Sequence, residues 1–426
     1  MIDGFRCASC GTFVGLDTFA PWRCPNERGD RHHVLLRMES ADVDGGTDNA
    51  RVRSDGNDPN PFVRFRRFMA WHAFALSHGM SDAATVELVR DTNDGFRTTP
   101  VVRSSSLSDE LAFSASGGVW VKDETANVGG SQKARHLMSI LLHLRVAESL
   151  GIAPWTPESR PSLAISSCGN AAIAAATLAH EVRWPLDVFI PEWAGGVVVS
   201  TLESLGANIT RCPRRSEDPP GDPTVLRFRE AVSRGAIPFS VQGPENALCL
   251  DGGRTFGWEL AESMIDAGTD DLDALFVQVG GGAFAASVSR GAREAGLRSP
   301  LFAVQTEGCA PLARAWTTAR DDDAMARHWS DHMWAWETEP RSLADGILDD
   351  ETYDWVADVV ELKATSGRVI VAREKNVIRA SQMGPEVVGV NVSPTGSAGL
   401  AGLLECRAEL ADDARVVVAF SGVRRD

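Results

Sequence analysis

The chain has no excess of positive charge. Its 42 lysines and arginines are outnumbered by 58 aspartates and glutamates, for a formal charge of −16 at pH 7. A phosphate backbone requires a basic face, so this balance argues against a nucleic-acid partner. It argues equally against docking on an anionic membrane surface. No apolar run reaches the roughly 20 residues that a membrane-spanning helix needs. The start, Met1-Ile2-Asp3-Gly4-Phe5, has neither the basic nor the apolar region of a signal peptide. A cytoplasmic location is the resulting expectation. The eight cysteines are scattered, and a reducing compartment disfavours a disulfide framework. There is no internal repeat. The Gly-x-Gly-x-x-Gly dinucleotide fingerprint and the Lys-Ser/Thr ending of a P-loop are both missing.

What is present is a set of four strand-and-turn segments in a chain of 426 residues, long enough for two core-forming units. Lys133 lies in Asn127-Val128-Gly129-Gly130-Ser131-Gln132-Lys133-Ala134-Arg135, just past the apolar run Gly118 to Lys122. Set among small residues at a helix start, it reads either as an ordinary surface charge or as an amine made nucleophilic by burial. Ala164 to Ala172 begins as a buried strand, turns at Gly169 and enters an alanine-rich helix, Ala171 to His180. Free N–H groups at such a helix start can hold a carboxylate. Ala274 to Phe284 reads as a central strand, the turn Gly280-Gly281-Gly282, and a helix start; consecutive glycines suit a backbone that wraps an anion. Arg415 to Gly422 is a buried strand ending in Ser421-Gly422. Taken singly, each segment is equally well read as plain strand-to-helix packing.

In this order and spacing, the four segments resemble the second major fold family of pyridoxal-phosphate enzymes, which includes threonine synthases, serine and threonine dehydratases and cysteine synthases. The resemblance runs from about Asn60 to the end, and Thr99-Pro100 falls where the family often carries this pair. It implies an α/β fold of two domains, parallel sheets flanked by helices, with the site in the cleft between them. The expected boundaries are 1–60 for an N-terminal extension, 61–130 with 246–426 for a large cofactor-binding domain, and 131–245 for a small mobile domain. The resemblance implies that Lys133 holds pyridoxal 5'-phosphate and then takes the substrate's Cα proton. Gly280, Gly281, Gly282 and Ala283 correspond to the phosphate loop, Asn170 to the partner of the ring oxygen, and Ser421 to the residue facing the pyridine nitrogen. Ser167, Cys168, Gly169, Asn170 and Ala171 correspond to the loop around the substrate carboxylate. A serine at Ser421 makes the ring a weaker electron sink than an aspartate would, favouring prompt loss of a β substituent. The chain departs from the family at Gln132, usually aromatic, at Ala134, acidic in threonine synthases, and at Cys168.

The expected reaction is β-elimination on a small hydroxy amino acid such as L-threonine or L-serine. Ser342-Leu343-Ala344-Asp345-Gly346-Ile347 resembles a dehydratase stretch. The competing reading is a threonine synthase acting on O-phosphohomoserine, for which Lys122 and Arg135 are candidate charges of a second anion pocket. A third reading, of another class, is a catalytically inactive cofactor- or zinc-binding protein. A homodimer is what the resemblance implies.

The N-terminus carries Cys7-Ala8-Ser9-Cys10, then Cys24, His32 and His33. Zinc takes four nitrogen or sulfur ligands in a tetrahedron, so Cys7, Cys10, Cys24 and His32 are the expected set, in a ribbon that either binds the metal or is degenerate. Glu39 to Pro61 is polar and reads as a linker. Phe62, Phe65 and Phe68 recur every three residues and read as the start of a packed helix whose arginines reach water. His136 reads as a proton-transfer aid or a surface helix position. Trp334 and Trp336 read as packing groups.

Overall fold

The computed structural model describes residues 2–28, 32–39, 52–54, 56–219 and 221–425. Most of the linker expected between Glu39 and Pro61 lies outside the described residues. The N-terminal strands β1 (Ile2–Cys7), β2 (Phe13–Gly15) and β3 (Leu35–Glu39) form an antiparallel sheet in the order β2-β1-β3. Strands β4 (Val101–Ser104) and β5 (Gly118–Asp123) come next. They are followed by β6 (Leu163–Ser166), β7 (Leu186–Ile190), β8 (Asn208–Arg211) and β9 (Ile237–Pro238). The last are β10 (Ala274–Gln278), β11 (Leu301–Thr306), β12 (Arg368–Ala372) and β13 (Arg415–Phe420).

Two further sheets result. One has the order β12-β11-β10-β13-β5-β4 and is parallel except for β4, which pairs antiparallel at the edge. The other is wholly parallel, in the order β8-β7-β6-β9. Strands β6 to β9 all fall within 163–238, between β5 and β10 in sequence.

The central strand β10 shows why its apolar run is unbroken. Leu275 and Val277 enter one core, and Ala274 and Phe276 enter a second. Successive side chains of a strand point to opposite faces, so a strand covered on both sides must be apolar throughout. Helices α1 (Lys133–Ser149), α2 (Asn170–Glu181), α3 (Leu248–Asp266), α4 (Ala283–Glu294), α5 (Trp355–Ala364) and α6 (Ala398–Cys406) supply most of this cover. Apolar residues of α1, α3 and α4 enter the first core, and those of α6 the second. The expected α/β architecture of parallel sheets between helices is the one observed.

The aromatic run departs from expectation. Pro61–Arg64 is one turn of α-helix and Arg66–Phe68 one of 3-10 helix. A three-residue spacing suits the 3-10 turn, where i and i+3 eclipse, better than a period of 3.6. Phe62 and Phe65 are fully buried. Of the arginines beside them, Arg67 reaches water as expected, whereas Arg66 is buried, with two bonds to Asp82 at 2.9 and 2.7 Å.

Candidate active site

The four segments identified from sequence all lie just past the C-terminal ends of parallel strands, where open α/β sheets place ligands. The turn before Lys133 follows β5, the Ser167–Asn170 turn follows β6, Gly280 follows β10 and Ser421 follows β13. Backbone bonds join two of them. Gln132 N–H donates to the Ser421 carbonyl at 2.9 Å, and Ser131 bridges to Gly422. Gly422 lies against both Asn170 and Ser131: a Cβ there would come 2.8 Å from Asn170 Nδ2 and 3.1 Å from Ser131 Cβ. Lys133, Asn170 and Ser421 are thereby drawn to one locus.

Lys133 opens α1 and is half-buried. Among the described residues its amine has no hydrogen bond or ion pair. Burial holds its pKa below the ordinary lysine value, opposed by the nearby Asp349, Cys249 and Asp354. His136, one turn along α1, is buried rather than on the surface. Its Nδ1 donates to the Cys249 carbonyl at 2.8 Å, which assigns the tautomer. Burial and the Lys133 charge push its pKa down to about 3, so the ring is neutral. Cys168 is half-buried, and burial raises its thiol to about 11, keeping it protonated.

The glycine loop is hemmed in on one side. A Cβ on Gly280 would lie 2.5 Å from Asp349 Oδ2, and one on Gly282 would overlap Asp358 Oδ2. Gly282 also has φ +101°, a conformation costly for any other residue. It precedes α4, whose first-turn amides have no side-chain cap. Such amides are ready for an anion.

Several residues at this locus escaped sequence reading. Gln278, last in β10, donates from Nε2 to Ser421 Oγ at 2.5 Å and to the Gly396 carbonyl at 3.0 Å. Asp354 donates its N–H to the Gly281 carbonyl at 2.7 Å and accepts from Gly243 N–H at 3.0 Å. Burial raises Asp349 to about 6 and Asp354 to about 7, and Asp358 well above the carboxylate range. Tyr353, the chain's one tyrosine, packs on Gly281. That rarity was a usable signal, as was the neighbouring Ser342–Ile347 stretch. Arg425 donates to Asn170 Oδ1 and, at 2.5 Å, to the Gly129 carbonyl. Nothing in the sequence pointed to that contact.

Lys122 and Arg135 are not pocket charges. Both are fully buried, bound to Glu259, and Arg135 also to Glu124. The N-terminal cluster differs by one ligand from expectation. His33, not His32, joins Cys7, Cys10 and Cys24, with ligand atoms all within 4.8 Å of one another. The His32 ring instead stacks on Trp329, centroids 4.9 Å apart, because adjacent residues of an extended chain face opposite ways. Trp334 is exposed under Arg314, whose guanidinium lies 3.8 Å from its ring, so it is not a core group.

The residues present suit the cofactor that the resemblance implies. The buried Ser131 Oγ, Gln132 Oε1 and Gln278 Oε1 have no hydrogen-bond partner. Buried polar atoms are normally paired, so orphans on the two residues before Lys133 and on the Ser421 partner Gln278 are consistent with a polar ligand at this locus. A model of the family described as pyridoxal-phosphate dependent enzyme matches residues 92–422. The L-threo-3-hydroxyaspartate ammonia-lyase of Saccharomyces cerevisiae is 25% identical over 329 residues, 76% of this chain and 87% of the yeast protein. A serine dehydratase-like protein of Rattus norvegicus is 28% identical over 252 residues, 58% of this chain and 69% of the rat protein. The crystal structure of the T.th. threonine deaminase superposes with TM-score 0.63 at 20% identity, covering 81% of this chain and 99% of that one.

Proposed function

Because the chain belongs to the pyridoxal-phosphate dependent enzyme family, we propose that it is a lyase that eliminates the β-hydroxyl of a small amino acid such as L-serine or L-threonine. The observation that carries this reading is the Gln278–Ser421 hydrogen bond. Ser421 Oγ accepts from Gln278, so its own O–H is free to donate. Ser421 would then serve as a donor to the pyridine nitrogen, which would leave that nitrogen unprotonated. When bound, pyridoxal phosphate supplies the electron sink that makes the substrate Cα acidic. With a neutral donor in place of a carboxylate at Ser421, that sink would be weaker, which would suit elimination of a β substituent.

The chain's own groups then have assignable tasks. Lys133, held toward neutrality by burial, anchors the cofactor and takes the Cα proton. The amides of Gly280, Gly281, Gly282 and Ala283 hold the phosphate. Asn170, steadied by Arg425, would partner the ring oxygen. Ser167, Cys168, Gly169, Asn170 and Ala171 surround the substrate carboxylate. A domain split with 131–245 as the moving part, and a homodimer, complete the proposal.

The names of the yeast and rat relatives support elimination. The burial of Lys122 and Arg135 speaks against the synthase alternative, because it removes both candidate partners for a second phosphate. Absorption spectra of the purified protein, with L-serine, L-threonine, L-threo-3-hydroxyaspartate and O-phospho-L-homoserine added in turn, test the reading. Keto acid from a hydroxy amino acid, with a visible cofactor band lost in Lys133→Ala, is the expected result. Phosphate release from phosphohomoserine without keto acid would replace it with the synthase reading.

A further inference from the structure

We propose that Cys7, Cys10, Cys24 and His33 hold a structural zinc ion that clamps the N-terminal ribbon onto the two helices beside Lys133. The four ligands come from separate places in the fold. Cys7 ends β1, Cys10 lies in the turn after it, Cys24 in the next loop, and His33 just before β3. Cys10 Sγ and Cys24 Sγ are 3.5 Å apart, as are Cys7 Sγ and His33 Nδ1. A zinc tetrahedron with Zn–S of about 2.3 Å and Zn–N of about 2.0 Å has edges of roughly 3.5–3.8 Å. A disulfide needs about 2.05 Å, and all these cysteines are free thiols.

The turns are shaped for the task. Gly11 N–H closes back on the Cys7 carbonyl at 2.9 Å, and Gly11 has φ +76°, which favours glycine. Glu27 N–H closes on the Cys24 carbonyl at 3.1 Å. Asn26 Nδ2 donates to Cys10 Sγ at 3.7 Å, a contact that favours a thiolate. Four protein ligands leave no open position, so the site is structural and carries no bound water for chemistry. A ribbon of three short strands has too little core to hold its shape alone.

The loop that the metal would close reaches the catalytic body. The Phe19 carbonyl accepts from His143 Nε2 at 2.8 Å, on the helix that Lys133 begins. The Trp22 carbonyl accepts from Ala247 N–H at 2.9 Å, at the start of α3, and Arg37 of β3 ion-pairs with Asp251 of α3. The metal therefore steadies α1 and α3 from outside the site.

Elemental analysis of the untagged, cofactor-loaded protein tests this, with zinc-edge X-ray absorption of the same sample. Stoichiometric zinc with a three-sulfur, one-nitrogen shell is expected. Cys10→Ala and His33→Ala should lose at least ~90% of the metal, as zinc affinity depends on each ligand of a closed site, whereas His32→Ala should keep it. Absence of zinc, or an oxygen-rich shell, overturns the proposal. Zinc retained in both Cys10→Ala and His33→Ala also overturns it, as an adventitious ion only. If these variants do not fold, the absorption shell of the unaltered protein decides alone.

Discussion

Lys122 and Lys133 stand on either side of a single turn, and both have pKa values lowered by burial. Their surroundings are opposite. Lys122 donates to the Thr99 carbonyl at 2.7 Å, to Thr99 Oγ1 at 2.6 Å and to Glu259 at 2.6 Å. Arg135 completes that cluster, bonding Glu124 at 2.8 Å and Glu259 at 2.7 Å. All three donor positions of the Lys122 ammonium are occupied, which is what a buried charge requires. Lys133 has no such partner. A buried lysine with every donor used is structural; a half-buried one with none used is available for covalent chemistry.

The largest effect that would sharpen this contrast is at Lys133. Lys133→Ala should abolish the visible cofactor band and cut turnover by at least about 10²–10⁴-fold, the range for a lost proton-transfer group. Its melting temperature without cofactor should barely change. A large loss of stability there would break the distinction. Lys122→Met should do the reverse. It strands Glu259 in the interior, so denaturant unfolding should show a cost of about 3–5 kcal/mol. Adding Glu259→Gln to that variant should recover part of the loss. If Lys122→Met is as stable as the parent, the cluster is not a structural keystone.

Asp354 gives the next effect, read against pH. Its carboxyl ordinarily titrates at 3.8, and burial raises it to about 7. The native state therefore keeps a proton that the unfolded chain releases in that interval. Stability from this group is full below pH 3.8 and is lost as pH climbs toward 7. Stability of the cofactor-free protein against unfolding should fall across that window, by up to about 1.4 kcal/mol per pH unit for one proton. Asp354→Asn should flatten the slope, and an unchanged slope would exclude Asp354 as its source. The smallest effect is at Gln278. Gln278→Leu removes the donor to Ser421 Oγ and should weaken cofactor affinity by about 0.5–1.5 kcal/mol, measured by titrating cofactor into apoprotein. An equal affinity would detach Gln278 from the site.

Much of this molecule is legible locally. The apolar runs Val119–Val121, Ala274–Val277 and Val416–Phe420 within β5, β10 and β13 announce buried parallel strands. Small residues after each strand announce turns that a ligand can approach, and their family-like order points to Lys133, Gly280 and Ser421. The aromatic run is half legible: a packed α-helical turn does begin at Phe62, but the spacing of three is too close to the α-helical period to reveal that Arg66–Phe68 continues as a 3-10 turn. His32 and His33 are equivalent as zinc ligands until the direction of the chain entering β3 is known, and the structure selects His33.

The sequence alone determined the strand-and-turn grammar, the acidic character and the placing of Lys133 and the glycine loop at the ends of strands, since each rests on residues close together in the chain. Only the tertiary structure decided which charges are free. Lys122 meets Glu259, Asn170 meets Arg425, and the glycine loop meets Asp349 and Asp354 across long stretches of chain. Partnership between polar groups in a low-dielectric interior depends on contact within a few ångströms, and that proximity is set when the sheets and helices pack together.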